Sequence, residues 1–321
     1  MRILYNCKKQ HRKNFREVLM TDFLIFEKEL TDRLRAGLGN SCQVSARTLC
    51  LNNNVKKQAV FITEEGSSIT ECLETGCLWP LCKTPKDIEL IAKNMMQEYH
   101  RRKKLPAMRS ALDRLYDWDF AKSRVMFRLA STDANKSLLQ EIPSFESVCG
   151  LSQIFYLLLQ EGTGHGTCIT INSRLMHAWK VPADGLLEQA RRNTPEHLPC
   201  LFLNASLDAS ADVLNVLHAQ GQAGIPVYFL TNSMGLYGAA CILYEGIAEI
   251  TAQKLGCGFY VLPCSLHQTA LIPAPSIEPQ LAGQLKQLLL TINRDSLPRQ
   301  QFLSDTVYYY NKEEKQLHAV P

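Results

Sequence analysis

The sequence lacks any apolar run that approaches the ~18 consecutive residues of a membrane-spanning helix. Glycine and proline are also scarce, at 17 and 14 of 321 residues, which excludes collagen-like and low-complexity classes. Hydrophobic residues make up 46% and charged residues 21%, as in an ordinary globular protein rather than a disordered one. At roughly 150 residues per domain, the length allows one large or two modest domains.

A charge surplus is missing from most of the chain. The formal net charge is +4, but six basic residues and only one acid, Glu17, fall within residues 1–19. From Met20 onward, 29 basic residues face 30 acidic ones. The body of the protein therefore has no bulk electrostatic reason to bind nucleic acid or anionic lipid. We expect no membrane partner, and we expect no nucleic-acid partner except through the basic segment 1–19.

Three interpretations of this basic segment are open: a nucleic-acid arm, an acid-poor targeting peptide, or an extension ahead of the natural start. A secretory signal is not expected, because Ile3-Leu4-Tyr5 is too short for its hydrophobic region and Lys8-Lys9 interrupts it at once. We favour the extension, because Met20 immediately precedes a sequence typical of a helix. Met20 is then the expected natural start.

The 12 cysteines show no metal-binding spacing. Cys72, Cys77 and Cys82 are the most closely spaced, no Cys-x-x-Cys occurs, and no closely spaced pair of histidines accompanies them. We therefore expect no metal and no cofactor. Without a secretory signal, the thiols favour a reducing, cytoplasmic compartment.

An N-terminal α+β unit is predicted over residues 20–104. Phe23, Phe26, Leu30 and Leu34 recur at helical spacing within a first helix, Phe23–Leu38. Alternation at Cys42–Ala46 and the apolar run Ala59–Thr63 predict two strands joined by a turn at Asn52–Asn54. A capped helix then begins at Thr84 and reaches Lys104. The unit is expected to have the order α-ββ-α.

A larger α+β domain is predicted over residues 105–321, with a core in the order ββαββα. Its first part includes a strand at Val125–Leu129, a buried run at Gln153–Leu159 and a helix that ends at Asn193-Thr194-Pro195. The core elements are strands at Val227–Leu230 and Ala239–Leu243, a helix at Gly246–Leu255, strands at Phe259–Leu262 and Thr269–Ile272, and a helix around Leu281–Ile292. Paired strands with short turns favour an α+β fold with antiparallel or mixed sheets covered by helices, here on one face of the sheet.

The glycine-rich segment Gly162–Thr167 resembles a phosphate-binding loop only superficially. It has no third glycine at the dinucleotide position, no following Lys-Ser/Thr, and no helix predicted after it. We interpret it as a turn between two strands. His165 is its candidate ligand-binding side chain.

The turn that follows strand Phe259–Leu262 carries the best candidates for chemistry. Cys264, Ser265 and His267 place a thiol, a hydroxyl and an imidazole in one short segment. Nucleophilic catalysis would require the imidazole within hydrogen-bond reach of the thiol or hydroxyl. Alternatively, His267 stabilises the turn. Asn232, at the end of a predicted strand, is a further candidate for binding, with His165 and His267.

Several segments together resemble a family of uncharacterised proteins, a domain of unknown function common in Gram-positive anaerobic bacteria. They are Asn193-Thr194-Pro195, Leu230-Thr231-Asn232, Gly238–Tyr244, Tyr260–His267 and Leu303–Tyr310, and the resemblance extends from about Met20 to Tyr310. The family implies no established activity. The family pattern also has an acidic residue where this sequence has Gly150, and another where it has Gln268, at the end of the segment Cys264–Gln268. Two carboxylates of the pattern are therefore missing here. Polar residues do remain within apolar surroundings at Asn135, Asn172, Asn232 and His267.

The absence of a complete catalytic constellation favours a non-catalytic binding or regulatory module, with a protein or small-molecule partner. The alternative is a small-molecule hydrolase or transferase that uses Cys264 or Ser265 with His267, in a pocket bordered by Asn232 and His165. The two hypotheses differ in whether Cys264 is a reactive thiol that depends on His267.

Overall fold

The computed structural model describes residues 22–67, 70–103, 106–160, 167–204 and 226–320. These residues form two compact units. The smaller unit contains residues 22–51 and 56–112, and the larger contains 52–55 and 113–320. The basic segment 1–19, Met20 and the candidate His165 lie outside the described residues.

The smaller unit packs two helices against a three-stranded sheet. Its elements are α1 (22–38), β1 (Cys42–Leu51), β2 (Val55–Glu64), β3 (Thr70–Glu74) and α2 (Pro85–Lys103), and the strand order is β1-β2-β3. Leu30 and Leu34 of α1 are fully buried in one core with Ile62 of β2 and Met95 of α2. The predicted helices and strands are present, and β3 is additional. This strand was missed because only Leu73 among its five residues is buried.

The larger unit contains a six-stranded sheet in the order β13-β12-β10-β11-β9-β8, antiparallel throughout. Its strands are β8 (Cys200–Asn204), β9 (Tyr228–Asn232), β10 (Phe259–Leu262), β11 (Thr269–Pro273), β12 (Tyr308–Asn311) and β13 (Gln316–Ala319). The turn at residues 263–268 connects β10 to β11. It therefore lies beside the end of β9, which pairs with β11.

A second, four-stranded sheet is centred on one long strand. Its strands are β4 (Val125–Ser131), β5 (Ser144–Val148), β6 (Leu151–Gln160) and β7 (Thr167–Thr170). On one side, β6 pairs with β4; on the other, its first half pairs with β5 and its second half with β7. β4 is consequently an edge strand of this sheet.

Helices and the second sheet cover both faces of the six-stranded sheet. Helix α3 (Pro106–Asp113) lies almost entirely in the smaller unit. The helices of the larger unit are α4 (Trp118–Ala121), α5 (Lys136–Leu139), α6 (Ser173–Trp179), α7 (Ala183–His197), α8 (Ile247–Leu255) and α9 (Pro279–Asp295). Tyr260 and Leu262 pack with Leu285 of α9 on one face. Phe259 and Val261 face the opposite way and pack with residues of β4, β6 and α7. The expectation of helices on one face alone is therefore too simple.

The predicted strand Ala239–Leu243 is wrong, because Gly238–Leu243 forms a 3₁₀ helix. Gly238 through Ile242 are all buried, so this run is apolar on every side and has no periodicity that separates a strand from a helix. Between β9 and α8 there is accordingly a helical turn rather than a second strand.

The predicted end of α7 is also wrong. The helix continues through Pro195 to His197, and the Leu198 N–H donates to the Thr194 carbonyl at 2.9 Å. A proline inside a helix removes its own N–H from the helical ladder and crowds the carbonyl four residues earlier. Here, the loss falls in the last turn, where the remaining hydrogen bonds continue the helix.

Candidate functional site

Cys264 lies in the turn between β10 and β11 as a buried thiol. Its side chain is 3% exposed, and Sγ donates to the Leu262 carbonyl at 3.4 Å. Burial raises the pKa of this thiol to about 12. Because the thiolate is the nucleophilic form of cysteine, these surroundings suppress its reactivity near neutral pH.

Ser265 and His267 serve the backbone of the same turn. Ser265 Oγ accepts a hydrogen bond from the His267 N–H at 3.0 Å. His267 Nδ1 accepts one from the Tyr237 N–H at 3.3 Å, and the two rings are nearly parallel, with centroids 5.9 Å apart and planes at 9°. Burial lowers the pKa of His267, although a hydrogen bond to the Gly235 backbone opposes this effect. The described hydrogen bonds do not join the imidazole to the side chain of Cys264 or Ser265.

Asn232 positions the loop that carries Tyr237. Its side chain is 2% exposed; Nδ2 donates to the Leu236 carbonyl at 2.7 Å, and Oδ1 accepts from the Met234 and Leu236 N–H groups. The structure thus brings Asn232 and His267 to the same loop, one from each side. Asn232 holds the loop's backbone, and His267 contacts Tyr237 at its end.

The other asparagines that the sequence singles out also make structural bonds. Asn172 caps α6 by accepting from the Leu175 N–H at 3.0 Å. Asn135 accepts from the Asn53 N–H at 2.7 Å and donates Nδ2 to Asn53 Oδ1 at 2.8 Å. These asparagines are polar within apolar segments because their side chains pair backbone N–H groups that would otherwise lack a hydrogen bond.

Sequence reasoning missed Arg128, the most unusual side chain next to this turn. Arg128 lies in the middle of β4, opposite Ile154 of β6, and is only 7% exposed. Within the described ranges, its one side-chain hydrogen bond runs from Nη1 to the Leu129 carbonyl at 3.4 Å. No carboxylate of the described chain acts on its charge, since the groups that do are Tyr237, Tyr156 and Cys168. A lone arginine inside the apolar run Val125–Leu129 was the available signal.

Two tyrosines surround the guanidinium. Arg128 Cζ lies 4.9 Å from the centroid of the Tyr237 ring, and the rings of Tyr237 and Tyr156 meet edge to face at 5.2 Å. Tyr156 is 1% exposed, and its hydroxyl has no hydrogen-bond partner in the part of the chain that the structure describes. Arg128, Tyr156, Tyr237 and His267 are called the Arg128 cluster below.

The Arg128 cluster lies against apolar residues and has a partly exposed side. Met126, Leu158, Leu198 and Met234 form the buried surroundings of Tyr156, and Cys168, Leu236 and Tyr237 pack against them while remaining partly exposed. Burial lowers the pKa of the Arg128 guanidinium and raises the pKa of Tyr156 well above its ordinary value. It also raises the pKa of Cys168 to about 11. Near neutral pH, the cluster is thus one cation among neutral groups.

A separate cleft of about 540 Å³ lies elsewhere on the larger unit. Its charged lining residues are Glu146, Arg191 and Glu245, all exposed to solvent. Exposed charges of this kind are hydrated and need no ligand. Among the residues that the structure describes, no three histidine, cysteine or acidic side chains could together hold a metal ion.

The fold and site define an α+β protein with antiparallel open sheets and a buried cationic cluster beside the β10–β11 turn. The sequence matches the family of unknown function DUF5688 over residues 23–312. The chain therefore belongs to this family, which confirms the resemblance to a domain of unknown function. No curated protein and no solved structure matches it.

Proposed function

We propose that the protein is a non-catalytic binding module that takes a protein or small-molecule partner at the Arg128 cluster. The observation that carries this proposal is the buried guanidinium of Arg128, which has no carboxylate partner among the described residues. Burying an uncompensated charge is costly, so such a group is typical of a site that a ligand completes.

The geometry of the turn favours binding over catalysis. A cysteine or serine nucleophile needs a base within hydrogen-bond reach of its side chain. His267 instead accepts from the Tyr237 N–H, Ser265 accepts from the His267 N–H, and Cys264 donates to a carbonyl. Each polar group is therefore used to shape the turn and the adjoining loop.

We also propose that the protein acts in the cytoplasm of a Gram-positive anaerobic bacterium. The described cysteines are free thiols, and Cys50, Cys77 and Cys149 are exposed, which suits a reducing compartment. The bacterial origin is supported by the motifs of the family resemblance. Within the described ranges, no helix is both long and apolar enough to cross a membrane.

Thiol and hydroxyl labelling separates this proposal from the hydrolase or transferase alternative. The full chain is treated at neutral pH with iodoacetamide and, separately, with a fluorophosphonate, and adducts are located by mass spectrometry. We expect the exposed cysteines Cys50, Cys77 and Cys149 to react before Cys264, and Ser265 to remain unmodified. His267→Ala should not slow the labelling of Cys264. Rapid modification of Cys264 or Ser265 that is abolished in His267→Ala would contradict the proposal.

Ligand capture tests the binding side. Immobilised full chain is incubated with host lysate, and retained proteins and small molecules are identified for wild type and for His267→Ala. We expect a stoichiometric component with wild type and its loss with the variant, because His267 stacks on Tyr237 of the cluster. Retention of no such component by wild type would count against a binding module.

A further inference from the structure

We propose that Arg128 and Tyr156 form a binding site for a singly charged carboxylate. The inference rests on the proposed binding function and names the chemical class of its ligand. Two independent features meet at this place: among the described residues, the buried guanidinium has no acidic partner and the buried hydroxyl has no hydrogen-bond partner.

The charge of Arg128 requires compensation. A guanidinium stays protonated in proteins, so it cannot escape burial by losing its proton. The Tyr237 ring offers a cation–π contact at 4.9 Å, and the Leu129 carbonyl offers one long hydrogen bond at 3.4 Å. Neither carries a negative charge, and the other N–H donors of the fork have no partner among the described residues. An anion would supply what these contacts lack.

The hydroxyl of Tyr156, which no described residue pairs, points to the same ligand. Tyr156 is nearly fully buried, and its ring meets the ring of Tyr237, over which the guanidinium lies. A buried polar atom without a partner is uncommon in native proteins and needs an explanation. A hydroxyl and a guanidinium are both donors to a carboxylate, which accepts through two oxygens.

Counting charges distinguishes a carboxylate from phosphate. The cluster holds one permanent cation, since the pKa of His267 is lowered and that of Cys168 is raised to about 11. A singly charged carboxylate neutralises this cation, whereas a phosphate dianion would leave one negative charge uncompensated in low-dielectric surroundings. The neighbouring Met126, Leu158 and Met234 are apolar, so the ligand's remaining body, where it has one, is expected to be apolar as well.

Calorimetric titration of the full chain tests the site directly. The probes are formate, acetate and benzoate, with inorganic phosphate for comparison, at constant ionic strength. We expect saturable binding of at least one carboxylate and weaker binding of phosphate. Absence of saturable binding for all three carboxylates, or preference for phosphate, would overturn the assignment.

Variants then locate the binding. Arg128→Met should weaken carboxylate binding by roughly ten- to a hundredfold and Tyr156→Phe by about tenfold, because each removes a donor to a charged acceptor. Arg124→Met is the matched control: Arg124 also lies over an aromatic ring, Phe120, at 4.1 Å, but outside the cluster. Tyr309→Phe controls for Tyr156, because the Tyr309 hydroxyl is already bonded to the Ala274 carbonyl at 3.0 Å. Unchanged affinity in Arg128→Met would place the anion elsewhere and refute the site.

Thermal unfolding without added anion gives a second readout. We expect the midpoint of Arg128→Met to be equal to or higher than that of wild type, because methionine fills the position without an uncompensated charge. Carboxylate should raise the midpoint of wild type and leave that of Arg128→Met unchanged. A lower midpoint for Arg128→Met, without an anion effect on wild type, would show that the guanidinium is structural. These results are separate from the labelling of Cys264 and Ser265, on which the non-catalytic proposal depends.

Discussion

His267 is held in its neutral form by its surroundings. Nδ1 can accept from the Tyr237 N–H only when it carries no proton, and partial burial lowers the pKa of the imidazole below 6.5. The unfolded chain therefore binds more protons at this residue than the folded chain does. Stability from His267 is fully present above about pH 6.5 and is lost as the pH falls through that value toward the folded pKa.

This linkage predicts that the free energy of unfolding depends on pH, and that this dependence is lost when the imidazole of His267 is replaced. The free energy of unfolding of wild type, measured by urea denaturation, should fall over the interval below about pH 6.5. His267→Asn offers an amide oxygen in place of Nδ1 and does not titrate, so its profile should be flatter over this interval. His177→Asn, at an exposed position of α6, should keep the wild-type profile. Equal slopes for His267→Asn and wild type would contradict the assignment.

Gly238 is required by a close approach of two chain segments. A Cβ at this position would lie 2.5 Å from both the His267 carbonyl oxygen and Thr231 Oγ1, and 2.7 Å from the Asn232 nitrogen. Two of these atoms belong to the backbone and cannot move aside cheaply. Glycine thus allows the 3₁₀ helix to lie against both the end of β9 and the β10–β11 turn.

We predict that Gly238→Ala lowers the free energy of unfolding by about 2–3 kcal/mol, because the inserted methyl group forces backbone shifts. Gly283→Ala is the matched control. Gly283 lies in the exposed part of α9, where an added methyl group would meet no atom within 4 Å, and its substitution should raise stability by ~0.5–1 kcal/mol. Chemical denaturation of both variants gives the comparison. A neutral Gly238→Ala would mean that the two segments separate freely.

The site was only partly predictable from the residues. His267 and Asn232 stood out because they are polar groups beside strand ends, and the structure does place them around one loop. Their bonds to the backbone could not be read from the sequence, because the 3₁₀ helix that brings Tyr237 to His267 was predicted as a strand. Arg128 was hidden inside the otherwise apolar run Val125–Leu129 of β4.

At the scale of elements, α7 protects the free edge of β4. Thr194 Oγ1 accepts from the Phe127 N–H at 3.0 Å while donating to the Ala190 carbonyl at 2.6 Å. Asn193 Nδ2 donates to the Val125 carbonyl at 2.9 Å and to the Lys122 carbonyl at 2.8 Å. These side chains satisfy strand groups that no neighbouring strand reaches, and they cover an edge that would otherwise be open to pairing with another chain.

Removing the Thr194 hydroxyl should show how much stability comes from its hydrogen bond to the edge of β4. Thr194→Val keeps the shape but leaves the buried Phe127 N–H without a partner, so we expect a loss of ~1–3 kcal/mol in the free energy of unfolding. Thr291→Val is matched to it, because Thr291 makes the same bond to the carbonyl four residues earlier but serves no strand. Its change should stay within ~0.5 kcal/mol. Similar losses in both variants, by urea denaturation, would show that the helical bond alone matters.

Elements with a clear hydrophobic period were predictable, and the others were not. The stripe of Leu285, Leu288 and Ile292 identified α9, because a helix that packs by one face must repeat apolar residues at that spacing. β8 and β13 contain mostly half-buried or exposed residues, so they lack a strong pattern. The resemblance to a family without known activity supplied no further constraint on the site.

At the scale of the whole molecule, each unit has hydrophobic cores built from its own described residues. Phe26, Leu30 and Leu34 belong to a core built entirely from the smaller unit. The two large cores around the six-stranded sheet are built entirely from the larger unit, including the one that contains Leu289. Core burial is the main favourable term in folding, so each unit has its own source of stability.

Separate cores predict separate responses to a cavity. Leu30→Ala should remove about 2–5 kcal/mol from the smaller unit, and Leu289→Ala a similar amount from the larger, because both side chains are fully buried. Hydrogen exchange followed by mass spectrometry measures both units at once. We expect Leu30→Ala to speed exchange in α1, β2 and α2 while β10 and β11 keep wild-type protection, and Leu289→Ala to do the reverse. If either variant instead lowered protection in both units, the two units would unfold as one cooperative body.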